Sequence, residues 1–154
     1  MSTTFIQYDH DRGFYISESF MQLTMYYIHM EAQKAQYSFS DKQEILEDLE
    51  ENINGLCNGY MTLYWKNLFD GNDEQIMIQV LQNVKLYLQS KGTNIPVSEL
   101  MLIPTDDKTL KYMLNKKPFL TAELIRVIDA LTQMLQGIWE STNYNMDLNW
   151  RYND

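Results

Sequence analysis

The chain has 154 residues, of which 45% are hydrophobic and 13% aromatic, and this composition excludes an intrinsically disordered protein. Its formal net charge is −9 and it has no basic stripe, so we expect no direct binding to nucleic acid or to a membrane surface. The length suits one domain over residues 1–154. A single cysteine excludes an internal disulfide. Because no signal segment or long apolar run is present, we expect a cytoplasmic protein.

The start of the chain predicts a hairpin followed by a helix. Thr3–Tyr8 and Phe14–Ile16 are short aromatic and β-branched runs, separated by a polar segment that contains glycine. The acids and the histidine at positions 9–11 cannot converge easily on a cation, so we interpret residues 9–13 as a turn. After Ser17, a possible N-cap, a segment rich in methionine and aromatic residues has helical spacing. We interpret it as a core helix, with an adaptable binding groove as the alternative.

The segment Ser40–Phe69 predicts one long amphipathic helix. Ser40 and Gln43 have the spacing of a capping box. From Ile45 to Leu63 the apolar residues recur every three or four positions, which places them on one helical face. Two glycines at positions 55 and 59 each weaken a helix interior by up to about 1 kcal/mol. A break near residues 54–59, giving two shorter helices, is therefore the alternative.

Carboxylates occupy the opposite face of this central segment. At about 100° per residue, Glu44, Glu47, Asp48 and Glu51 lie away from the apolar stripe, and Asp41 lies near the helix start. This face either keeps the protein soluble or serves as a docking surface for a basic partner. The second interpretation has a physical basis, because charges concentrated on one face raise the rate of association with an oppositely charged protein.

Four further segments follow the central one. Ile76–Leu88 has a wide apolar stripe, which predicts a core helix. The segment Val97–Ile103 fits either a buried strand or a short helix, and Lys108–Asn115 predicts a short helix. From Thr121 to Ile138 the helical period is regular, and Gly137 either ends that helix or lies within it.

The tail changes to a period of two, which is typical of a half-buried strand. Its apolar positions are Tyr144, Met146, Leu148, Trp150 and Tyr152. This strand either pairs with the N-terminal hairpin or remains an exposed edge for a partner strand. The expected fold is therefore mainly α, with four to six helices packed as one domain. The sequence leaves open whether the hairpin and the tail also form a small antiparallel sheet.

Signatures of catalysis are missing. The chain has no glycine-rich phosphate loop, no His-Glu-x-x-His zinc motif, no paired cysteines and no nucleophile elbow. Carboxylates on an exposed face gain little of the burial that raises the pKa of a general acid. We therefore expect no enzymatic activity, no cofactor and no metal.

Two segments carry a resemblance to a known class of protein. They are Glu44–Glu51, which reads EILEDLEE, and the ending Asn143–Tyr152, which reads NYNMDLNWRY. Together with the acidic composition rich in tyrosine, tryptophan and asparagine, they resemble the immunity proteins of bacterial contact-dependent growth inhibition. The resemblance implies that the protein neutralises a cognate toxin, commonly a nuclease, by covering its basic cleft. The expected contacts are Asp41, Glu44, Glu47, Asp48 and Glu51, with Tyr144, Trp150 and Tyr152 in the tail.

Two other functions remain open. A phage-type inhibitor or nucleic-acid mimic would use the same acidic surface against a host protein. A small helical ligand-binding domain or enzyme would instead use the helix after Ser17, and would show a deep pocket lined by Tyr26, Tyr27, Met30 and a buried carboxylate.

Overall fold

A computed structural model describes residues 3–55, 61, 63–141 and 143–151. Within these ranges the chain forms seven helices and a few short strands, which confirms a mainly α fold with a small sheet. The helices are α1 (Glu18–Ala32), α2 (Lys42–Ile53), α3 (Trp65–Leu68), α4 (Asp73–Ser90), α5 (Val97–Leu100), α6 (Lys108–Leu114) and α7 (Thr121–Gln136). The strands are β1 (Thr3–Asp9), β2 (Arg12–Ser17), β3 (Asn94–Ile95), β4 (Phe119–Leu120) and β5 (Tyr144–Asn145). Seven helices exceed the expected four to six because α3 and α5 are single turns of four residues.

The sheet combines the predicted hairpin with the tail. Strands β1 and β2 pair antiparallel, and β5 joins the other edge of β2. The pairing of β5 with β2 is parallel, so the antiparallel arrangement expected for the tail is wrong. The reason lies just after α7, where the Trp139 indole N–H donates to the Gly13 carbonyl at 3.0 Å and the Gly13 N–H donates to Ser141 at 3.2 Å. These bonds bring the chain in beside the start of β2, and it then runs in the same direction.

The central segment is broken near its middle. Helix α2 ends at Ile53, and Gly55 adopts a left-handed φ of +71°. One continuous helix over Ser40–Phe69 is therefore wrong, and the alternative of a break is confirmed. Residues 56–60 and 62, which include predicted apolar positions and the cysteine, lie outside the described residues. A β-carbon at Gly55 would lie 2.5 Å from an Asp107 carboxylate oxygen, so the close approach of the loop before α6 requires glycine here.

The capping box predicted for α2 is also wrong. The N-cap is Asp41, whose side chain accepts the Glu44 backbone N–H at 3.3 Å. Ser40 instead donates its backbone N–H to the buried Asp73 carboxylate at 2.9 Å. Long-range bonding to the start of α4 therefore takes Ser40 away from the helix end.

Helix α1 lies at the centre of the fold and packs against α2, α4, α6 and α7. Its Tyr27 is 2% exposed, and the ring packs against those of Tyr26 and Tyr87 at centroid distances of 5.2 and 6.0 Å. This packing agrees with the interpretation of α1 as a core helix. The segment 97–103 begins with a helical turn, and Gly137 ends α7 with a φ of +75°. None of the described helices is long and apolar enough to cross a lipid bilayer.

Candidate functional site

Helices α2 and α3 form the walls of an open groove on the surface. The apolar stripe of α2 faces inward, where Ile45 and Leu49 are fully buried, and this orientation turns its carboxylates outward. The hollow between the two helices has a volume of about 390 Å³. We call it the acidic groove, and it is lined by Glu44, Glu47, Asp48, Glu51, Tyr64, Asn67 and Leu68.

The glutamates of the acidic groove are not neutralised by other described residues. Glu44, Glu47 and Glu51 are exposed and form no ion pair there. The only side-chain bond to them in the described part of the chain comes from Gln43, whose amide N–H donates to Glu47 at 2.8 Å. Six of the described cations pair with acids outside the groove: Arg12 with Asp9, Lys34 with Glu31, Lys85 with Asp129, Lys91 with Glu99, Arg126 with Glu123 and Arg151 with Asp147. The groove therefore presents a concentrated negative charge to solvent.

Asp48 differs from the three glutamates because it is only partly exposed. Burial raises the pKa of its carboxyl group to about 6, and the negative charge of Glu51 adds to this effect. A hydrogen bond from the backbone N–H of Tyr64 lowers the pKa in part. The Oδ2 atom is buried without a hydrogen-bond partner in the structure. Asp48 thus connects α2 to the start of α3, and its carboxylate is poorly solvated.

Tyr64 is the exposed aromatic residue of the groove, and the sequence analysis did not identify it. Its side chain is 53% exposed, whereas those of Leu63 and Trp65 on either side are 8% and 1% exposed. Its carbonyl accepts the backbone N–H groups of Asn67 and Leu68 at 3.0 Å, which fixes the turn that carries the ring. The available signal was the alternation of Leu, Tyr and Trp, but the prediction of one long helix concealed it.

A second hollow of about 450 Å³ lies on the other side of Tyr64, next to the β1–β2 turn. We call it the hairpin hollow. It shares Tyr64 and Asn67 with the acidic groove, so the two hollows are adjacent. Its other lining residues are Gln7, Tyr8, Asp9, His10, Leu63 and Lys66. Here the charges are mixed, because Asp9 pairs with Arg12 and the Lys66 amine lies 5.3 Å from the centre of the Tyr8 ring.

Among the remaining predicted contacts, Asp41, Tyr144 and Trp150 do not line the acidic groove. Asp41 is exposed but serves as the N-cap of α2. Tyr144 is 40% exposed on β5, and its ring packs edge-on against Trp139 at 5.4 Å. Trp150 is only 5% exposed and packs edge-on against Phe20 at 5.7 Å, so its burial corrects the expectation that it presents a surface to a partner. Tyr152 lies outside the described residues.

The side chains of the acidic groove are suited to binding through charge and surface contact. Among the described residues, no three or more histidine, cysteine or acidic side chains are grouped so as to hold a metal ion. Three of the four groove carboxylates are exposed on an open surface. Such an arrangement suits the binding of cationic groups.

The chain matches no protein-family model, and no curated protein or solved structure shows significant similarity to it. The function therefore has to be inferred from the geometry and the charge of the groove.

Proposed function

We propose that the protein is an inhibitor that binds a basic protein through the acidic groove. The proposed partner is the nuclease domain of a cognate bacterial toxin. The observation that carries the proposal is the row of exposed glutamates on α2, which have no counterions among the residues that the structure describes. A nuclease cleft is electropositive because it receives phosphates, so an acidic surface is complementary to it.

In this function the groove raises the rate of association and also stabilises the complex once it has formed. The exposed charges of Glu44, Glu47 and Glu51 steer a basic partner towards α2 and make association dependent on salt. Tyr64 contributes an aromatic contact, of the kind that dominates the energy of many interfaces. The inhibitor acts by exclusion in the cytoplasm, without a catalytic step and without a cofactor.

The first test is co-expression with the product of the adjacent upstream gene, because a toxin gene is commonly followed by the gene of its immunity protein. We expect the upstream product to inhibit growth when expressed alone, and we expect a stable complex and restored growth when both are present. A partner encoded elsewhere, such as a host nucleic-acid-binding protein, would contradict the assignment to a toxin.

The second test reverses charge in the groove. In the double variant Glu44→Lys/Glu47→Lys, two positive charges replace two negative ones opposite a basic partner, and like charges across an interface cost several kcal/mol. We expect the Kd at low salt to rise by about 100-fold, which corresponds to about 3 kcal/mol, and the salt dependence to flatten. Asp48 is left unchanged because its carboxylate accepts the Tyr64 backbone N–H.

The matched control is Asp106→Lys/Glu140→Lys, which changes net charge equally at two exposed acids outside the groove. We expect its Kd to change much less than that of the groove variant. Equal weakening in both variants would indicate a general charge effect, and no weakening in the groove variant would place the contact elsewhere. Circular dichroism melting of each variant separates loss of binding from loss of folding.

A further inference from the structure

Tyr64 has a position in the fold that the acidic face alone does not explain. Its side chain stands between the acidic groove and the hairpin hollow, since it lines both. It is more than half exposed, although it follows and precedes buried residues. An exposed aromatic side chain with space on two sides is accessible to a partner.

The main chain of Tyr64 is fixed by contacts within the protein before any partner binds. Its carbonyl accepts the backbone N–H groups of Asn67 and Leu68 in α3, both at 3.0 Å. Trp65, the next residue, is 1% exposed and stacks against Phe69 with a centroid distance of 5.5 Å. A contact that is already ordered loses little entropy on binding, which is a property of strong interface anchors.

The chemistry around the Tyr64 side chain selects one kind of group. On one side of Tyr64, the acidic groove is lined by the carboxylates of Glu44, Glu47 and Glu51, with the partly buried Asp48 beside them. A planar guanidinium stacks on an aromatic ring and donates two parallel N–H hydrogen bonds to one carboxylate, whereas an ammonium is a compact point charge without this planar geometry. An aromatic ring beside carboxylates therefore favours arginine over lysine.

We propose that a surface arginine of the partner protein inserts into the acidic groove, stacks on Tyr64 and pairs with the carboxylates of α2. This inference rests on the proposed function, because it specifies the group by which that partner is recognised. The interface then continues past Tyr64 over the hairpin hollow, so its centre lies at Tyr64 and not at the middle of α2.

The test uses the full-length protein and the purified upstream gene product, with Kd measured by calorimetry. Tyr64→Ala removes the ring, and we expect the Kd to rise by about 30-fold or more, as for a central interface anchor. Tyr64→Phe keeps the stacking surface, so its Kd should stay within about threefold of wild type. The matched control is Tyr112→Ala on α6, where a side chain of similar exposure, 58% against 53%, lies outside both hollows. Its Kd should be unchanged.

The arginine is identified by replacing each exposed arginine of the partner with lysine. We expect one such variant to lose about tenfold in affinity for wild type but little for Tyr64→Ala, because the two changes remove the same contact. If the complex forms and Tyr64→Ala binds as well as Tyr112→Ala, or if no arginine couples to Tyr64, the inference is overturned while the proposed function stands. If wild type forms no complex, both are overturned. Thermal melting of the variants confirms that each is folded.

Discussion

Asp48 provides the most informative test of the environment in the groove. Burial raises the pKa of its carboxyl group from 3.8 to about 6, so at neutral pH the folded protein holds an ionised group that is poorly solvated. Asp48→Asn removes the charge, and its amide oxygen can still accept the Tyr64 backbone N–H. We therefore expect this variant to be more stable than wild type above pH 6.

The size and the sign of this change in unfolding free energy follow from the pKa values of Asp48 in the unfolded and folded states. A raised pKa means that the folded state binds the proton more tightly than the unfolded state. Asp48 therefore favours folding while it is protonated, and this contribution is lost as pH rises from about 4 to about 6. The full difference would correspond to about 3 kcal/mol. Because the carboxylate is partly exposed and screened by solvent, we expect about 1–2 kcal/mol.

The assay is urea unfolding at pH 4, 5, 6 and 7. We expect the unfolding free energies of Asp48→Asn and wild type to agree at pH 4 and to diverge by about 1–2 kcal/mol at pH 7, in favour of the variant. Glu47→Gln is the control, because this exposed carboxylate of the same groove should change stability by less than about 0.5 kcal/mol. A variant that is less stable than wild type at pH 7, or that keeps the same pH dependence, would refute the reasoning.

Two further predictions concern residues that hold the groove in place. Gly55→Ala should cost about 3 kcal/mol, because φ is +71° and the new β-carbon would lie 2.5 Å from the Asp107 carboxylate. Gly92→Ala, at a φ of +80° with open space around it, should cost only about 1 kcal/mol, and equal costs would contradict the role of the contact. Asp73→Ala should cost about 3 kcal/mol in urea unfolding, because a carboxylate only 1% exposed accepts two backbone N–H groups at 2.9 Å. A loss of unfolding free energy below about 1 kcal/mol would contradict this, because it would mean that water satisfies the two N–H groups as well as the Asp73 carboxylate does.

The sequence by itself determined the long helices and the orientation of the acidic face. Helix α7 begins at Thr121, as its apolar period predicts, and it ends before Gly137, which is one of the two outcomes that the sequence left open. Residues Ile76–Leu88 lie within α4, and Glu44, Glu47 and Glu51 point outward because Ile45 and Leu49 on the same helix are buried. These features are local, since a helical period fixes which side chains share a face.

Tertiary structure alone decided where the central helix ends, how the tail pairs and which aromatic residues reach the surface. Helix α2 stops at Ile53 beside a glycine that must accommodate Asp107, a residue far along the chain. The tail looked like an exposed aromatic strand, yet Trp150 packs on Phe20, whereas Tyr64, within a predicted helix, is exposed between two hollows. Side chains of the same type thus differ in exposure, because exposure depends on which distant segments cover a residue, and local period carries no information about those segments.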